Sequence, residues 1–328
     1  MRSAGVGISN LLMVGVLGSG LLGGCTTVPE EIRVPISGWP SYEYLYLASR
    51  TGIDRQVDLA ITPVQLPDPQ AVTNGYLRGQ FAVAQLSAVE LLDLCNRAPA
   101  RCPVVVLVLD ESRGGDQLAV HRSVPSIEAL RGRRVAVTFS TLGPYVLQLA
   151  LKPHGLRISD VLTRNMPLEQ MAGALARREV EAAVVYSPFS EQVARGGHTR
   201  MLFTSRETPG EILHLLVVNP EELARHPGRI AKLVKAWQLA HQQAQAEPRA
   251  SVARMAQREG LSSSEFVQAE TGLRYFSLEQ QIPLLAPGGT VATNLARVQA
   301  VQQQLDLSPK GGPLPRVDAE PVKAALEP

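Results

Sequence analysis

The strongest constraint on how this chain can fold is an alternation. Short runs rich in β-branched residues take turns with longer stretches of helical period along most of its length. Strand-like runs fall at Ile32 to Ile36, Val57 to Ile61, Phe81 to Ala84, Val104 to Leu109 and Gln117 to His121. Others follow at Arg134 to Thr138, Ala183 to Tyr186, Met201 to Phe203 and Leu213 to Val218. Between them apolar residues recur at helical spacing. After Pro227, for example, Ile230, Leu233, Val234, Trp237 and His241 share one face, while Lys232, Lys235 and Gln238 take the other. Leu168, Met171 and Leu175 make a second such stripe, in which the Met is packing. The pattern predicts an α/β architecture with mostly parallel sheets. Past Glu247-Pro248 the period is helical alone to about Leu305, which predicts a C-terminal helical cap. From Pro309 onward, Gly311, Gly312, Pro313, Pro315 and Pro321 predict a loose tail over 309–328.

The chain is 328 residues long and 45% hydrophobic, with material for one or two cores, and two lobes are expected. Its formal net charge is +2. The densest basic clusters, Arg131-Gly132-Arg133-Arg134 and Arg177-Arg178, form no stripe able to neutralise a run of phosphates, so nucleic acid is not an expected partner.

The N-terminal segment reads as an address. Arg2 supplies a positive start, Leu11 to Leu22 an apolar run, and Gly23-Gly24 the small side chains that precede a lone Cys25. The run falls short of the roughly 20 residues that span a bilayer and is diluted by Gly15, Gly18 and Gly20. The expectation is a lipoprotein signal peptide over 1–24, a lipidated Cys25 and a tether over 25–31, holding the folded part near a membrane outside the cytoplasm. Thr26 beside the cysteine resembles lipoproteins sorted to the outer membrane, and which membrane holds the anchor stays open. In an oxidising compartment Cys95 and Cys102 can close a small disulfide; two reduced thiols are the alternative.

Catalytic signatures are mostly absent from the sequence: there is no H-E-x-x-H pair, no G-x-S-x-G elbow, no phosphate-binding glycine loop and no G-x-G-x-x-G after a strand. Instead, strand-like runs end in loops of small polar or aromatic residues, the kind that line a ligand crevice in open α/β sheets. Trp39, Pro40 and Tyr42 lie in the first, and the two rings offer flat surfaces with a polar handle. Gln85 and Ser87 follow the third run, with Ser87 equally readable as a helix cap. Ser140, Thr141 and Gly143 precede a helix whose free N–H groups and dipole suit an anion, or which is simply capped. Tyr186 and Ser187 end another run, where Tyr186 either closes on a ligand or belongs to the core. Asp110 and Asp116 flank Gly114-Gly115 and are able to receive an amine or amide donor, with a solvated turn as the bland reading.

These pieces resemble a known family. Gly38-Trp39-Pro40-Ser41-Tyr42-Glu43-Tyr44-Leu45-Tyr46-Leu47-Ala48 is similar to the opening of periplasmic solute-binding proteins of the nitrate/sulfonate/taurine and thiamine-pyrimidine (NMT1-like) type. Ser126-Ile127-Glu128-Ala129-Leu130-Arg131-Gly132-Arg133-Arg134-Val135-Ala136-Val137 resembles the segment that opens their second lobe. Further matches are Ala174-Leu175, Glu181 to Pro188, and Thr208-Pro209-Gly210-Glu211-Ile212.

The resemblance implies a two-lobed venus-flytrap fold, with lobe one from 32–113 and 213–308, lobe two from 117–208, and the two crossings as hinges. It implies a monomer without cofactor or covalent chemistry. Such a protein captures a small solute by domain closure and presents it to the permease and ATPase subunits of an ABC importer. A sensor that delivers the closed state to a membrane receptor is the alternative. An enzyme of thiamine-pyrimidine formation lacks its reactive lysine and cysteine-rich motif here. Ser187 stands where the family often carries Glu, which weighs against a cationic or amine-bearing ligand. The helix start at Thr141 favours an anion, whereas Glu43, Asp110, Asp116 and Glu211 favour a donor-rich molecule; the aromatic residues point to a flat organic solute.

Overall fold

The computed structural model describes residues 29–139 and 141–327. The signal peptide, Cys25, the first part of the tether and Ser140 lie outside the described residues. Eleven strands are described: β1 (Glu30–Ile36), β2 (Leu59–Gln65), β3 (Val83–Ser87), β4 (Val104–Ser112), β5 (Gln117–His121), β6 (Arg134–Val137), β7 (Leu162–Asn165), β8 (Ala182–Val185), β9 (Thr199–Thr204), β10 (Leu213–Val218) and β11 (Leu273–Arg274).

They divide into two bodies. In the first, β1 pairs with β2 in parallel, beside a sheet ordered β11-β4-β10-β3. The second is a single sheet ordered β7-β6-β8-β5-β9. The expected parallel majority does not hold. Only β1/β2, β6/β7 and β6/β8 are parallel, whereas β10 runs antiparallel to β3 and β4, β11 to β4, and β5 to β8 and β9. The cause is the chain path: it crosses from the first body to the second after β4 and returns before β10. The strands that carry the crossings, β5 and β10, enter their sheets against the direction of their neighbours.

The crossings are tied together. The Ser112 hydroxyl lies 2.8 Å from that of Ser205, and the Ser205 hydroxyl accepts the Gly114 N–H at 2.7 Å. The Ser205 N–H in turn donates to the Asp116 carbonyl at 2.8 Å. Gly115 is bare for a reason, since a Cβ there would meet the Trp39 ring edge at 2.8 Å.

Helices cover both bodies. The Pro227–Ala246 helix buries Ile230, Leu233, Val234, Trp237 and His241 as their spacing predicts, and Leu168, Met171 and Leu175 are buried in the Leu168–Ala176 helix. The C-terminal cap is helical apart from the two-residue β11. The expected loose tail is instead docked. Arg316 to Asp318 brackets Val105 with two backbone hydrogen bonds of 2.9 Å, and the Glu320–Leu326 helix packs on the Pro227–Ala246 helix through buried Pro321, Val322 and Ala325. Between Pro321 and the terminal Pro328 there is no Pro or Gly, so these turns have helical freedom and an apolar stripe to bury.

Cys95, on the Ala88–Arg97 helix, is bonded to Cys102. Closing this short loop removes unfolded-chain entropy worth about 2.5 kcal/mol. The double variant Cys95→Ser/Cys102→Ser is expected to lose about that much in urea unfolding, and an unchanged midpoint would remove the disulfide from the account.

Candidate ligand-binding site

A cleft lies where strand ends of the two bodies face each other. Beyond β1 come Gly38 and Trp39, beyond β2 Leu66 to Asp68, beyond β6 Thr138 and Thr141, and beyond β8 Tyr186 and Pro188. This is the carboxyl end of parallel strands, the position where open α/β sheets leave a crevice. An outer chamber of about 390 Å³ adjoins a tight inner chamber of about 20 Å³, and the two share Gly38, Pro69 and Tyr186. At Gly38 the bodies come so close that a Cβ would stand 3.1 Å from the Pro188 ring.

The inner chamber is organised by one carboxylate. Asp110 on β4 is fully buried; its Oδ2 accepts the Trp39 Nε1–H at 2.9 Å and the Ser41 hydroxyl at 2.6 Å, and its Oδ1 lies 3.1 Å from His214 Nδ1. Asp110 and His214 are register partners across β4 and β10, so backbone pairing brings them together. Trp39 packs on the His214 ring with centroids 4.2 Å apart and meets Tyr186 of the opposite body edge-on at 5.9 Å. The Tyr42 ring closes the other side of His214 at 5.8 Å. Burial alone would push the His214 pKa down, but the charge and hydrogen bond of Asp110 outweigh it and hold the imidazole above its ordinary value.

The structure sorts the sequence candidates. Trp39, Tyr42 and Tyr186 line the inner chamber, and Thr141 lines the outer one. Pro40, Gln85, Asp110, Gly143 and Ser187 line neither. Asp110 is saturated by protein donors and holds Trp39 in place. The Gln85 amide donates to the Tyr42 carbonyl at 3.4 Å. Ser87 is a helix cap: its N–H donates to Glu90 Oε2 at 2.8 Å and its hydroxyl accepts the Glu90 N–H at 3.4 Å. Thr141 turns its hydroxyl onto the Thr138 carbonyl and accepts the Gly143 N–H at 3.3 Å.

The helix start expected to offer free N–H groups is therefore partly occupied. Glu90 Oε1 accepts the Leu142 N–H at 3.2 Å, reaching from the first body to the second, just ahead of the Gly143–Leu151 helix. Sequence reading missed this residue. Its only trace was the Ser87-x-x-Glu90 spacing of a capping box, which accounts for one carboxylate oxygen and not for the other.

Of the acids expected near the cleft, Glu43 is bound by Arg258, and Glu211 accepts the Tyr145 hydroxyl at 2.7 Å and pairs with Arg297 at 3.2 Å. Asp116 differs. It is fully buried on the inner chamber with neither side-chain oxygen partnered, and the buried Tyr186 hydroxyl is likewise unpartnered. Burial pushes the Asp116 carboxyl up to about 6, although the nearby His214 charge works the other way. Among the described residues no group of three His, Cys, Asp or Glu is placed to hold a metal ion.

Both raised values make the folded protein hold protons more tightly than the unfolded chain. The His214 proton adds stability that is present below about pH 6.5 and lost as pH rises through its folded value. Asp116 costs stability above about pH 6, by up to about 3 kcal/mol, and that cost fades as pH falls toward 4. The solute-free protein is expected to melt higher at pH 5.5 than at pH 8. Asp116→Asn should raise the melting temperature at pH 8 and flatten the profile; an unaltered profile would contradict the burial of an unpartnered carboxylate.

With this geometry in place, comparisons with known proteins fall into line. The sequence profile of the NMT1-like family matches residues 99–258. The taurine-binding periplasmic protein of Escherichia coli (strain K12) is 24% identical over 199 residues, 57% of this chain and 61% of that protein, so the alignment spans under two thirds of the relative's length. The alkanesulfonate-binding protein SsuA from Xanthomonas axonopodis pv. citri, solved bound to MOPS, superposes with a TM-score of 0.71 at 15% identity, covering 90% of this chain and 98% of SsuA. The desulfurization enzyme DSZB, solved with biphenyl-2-sulfinic acid, superposes with a TM-score of 0.68 at 16% identity, covering 91% and 99%. Residues 99–258 thus resemble the NMT1-like family, and the chain carries the two-lobed fold of periplasmic binding proteins.

Proposed function

We propose that this protein is an extracytoplasmic solute-binding protein, anchored through a lipidated Cys25, that captures a small organic solute between its lobes and hands it to an ABC importer. The observation that carries this reading is the pair Trp39 and Tyr186, one from each body, which meet over an inner chamber with unpartnered polar groups. Aromatic side chains grip an organic solute through apolar area and ring edges, and burial of both rings needs the two bodies to be closed. The crossings at Arg113–Asp116 and Ser205–Ile212 act as the hinges, and the closed form is what the membrane permease subunits recognise. The sequence relative is a binding protein, which favours binding over catalysis although the fold also serves a desulfurization enzyme.

The test uses the mature chain, lacking the lipid, against a broad panel of small metabolites. A solute at a hundred times its Kd should stabilise the fold by about 2.7 kcal/mol. Trp39→Ala and Tyr186→Ala should each weaken binding by about 1–3 kcal/mol in calorimetry while remaining folded. Unchanged melting across the whole panel, with flat calorimetry, would count against solute capture.

A further inference from the structure

The inner chamber differs from the outer one in size and in charge. Its room, about 20 Å³, is that of roughly one water-sized group, too small for the three oxygens of a sulfonate. Its ionisable wall is Glu90, Asp116 and His214, with Asp110 behind His214 and already saturated. Asp116 presents two buried oxygens without a donor, and Tyr186 a buried hydroxyl without a partner. Buried acceptors in this state are costly unless a donor reaches them.

The one place in the chamber suited to an anion is filled by the protein itself. The N–H at the start of a helix attracts negative charge, and at Leu142 that charge is the Glu90 carboxylate. An anionic solute would have to displace Glu90 and then sit beside Asp116. Two carboxylates and a third anion in a dry chamber have too little positive charge to balance them.

We infer that the inner chamber is the seat of an organic ammonium group: Asp116 is its counter-charge, the Tyr186 hydroxyl takes a second N–H, and Glu90 acts as a built-in anion that closes the helix start to sulfonates and carboxylates. The organic body of the solute then occupies the outer chamber. This assignment rests on the solute-binding reading and narrows it to a chemical class. It also reverses what Ser187 suggested in the sequence, because the acid missing there is supplied by Asp116 from the segment between β4 and β5.

Three probes that share one ring and differ in head group separate the cases: benzylammonium, benzyl alcohol and benzenesulfonate, measured by calorimetry and thermal shift at pH 7.5. The wild-type chain should bind benzylammonium at least tenfold more tightly than benzyl alcohol and show no heat with benzenesulfonate. Asp116→Asn should remove that tenfold preference for the ammonium over the alcohol. Glu90→Ala, which opens the helix start, should let benzenesulfonate bind. A wild-type preference for benzenesulfonate, an ammonium preference that survives Asp116→Asn, or no binding of any probe would overturn the assignment. None of these results touches solute capture itself, which fails only if the metabolite panel is silent as well.

Discussion

Three donors converge on the carboxylate of Asp110, and the cleft depends on that convergence. The Trp39 indole and the Ser41 hydroxyl come from the loop after the first strand, and His214 comes from the strand that returns from the other body. A buried carboxylate is costly unless such donors surround it, and each donor to Asp110 is thereby fixed in position. Trp39 cannot swing without leaving Asp110 short of a partner, and Gly115 leaves it the space it needs. The indole is held rigid at the point where Tyr186 of the opposite body meets it. A rigid aromatic surface at a closing seam loses little entropy when a solute arrives.

The same seam carries a second cross-body contact of a different kind. Glu90 caps its own helix with one oxygen and holds the Leu142 N–H of the other body with the second. Surface pairs between the bodies also exist, such as Arg195 with Glu265 at 2.6 Å, but exposed ion pairs contribute little. Glu90 is buried, so its contact with Leu142 biases the two bodies toward contact without any solute. In the proposed cycle, closure is pre-shaped by this contact and completed by a solute that satisfies Asp116 and Tyr186.

How much of this was legible in the sequence follows from how far apart the interacting residues lie. Strands such as Gln117–His121 and Leu213–Val218 were readable because their apolar runs, Leu118 to Val120 and Leu215 to Val218, are buried on both faces. The edge strand Leu162–Asn165 was not, since its exposed, mostly polar residues carry no apolar signal. Strand direction is set by the chain crossings and leaves no local mark. Ser87 was readable as a cap, but the second role of Glu90 links residues 52 positions apart. Asp110 and Asp116, six residues apart, look alike in sequence; only the contacts show that one is saturated and the other bare. The fold is shared by a sulfonate-binding protein and a desulfurization enzyme, so the ligand class has to come from such contacts rather than from topology.

The central claim is that the two bodies close on one small organic solute carrying an ammonium group. Native mass spectrometry of the mature protein, purified without denaturation, tests it most directly. The account predicts a single bound small molecule, released on unfolding and detected as an organic cation, and lost from the Asp116→Asn variant. A bound sulfonate or other organic anion retained by both proteins would contradict it.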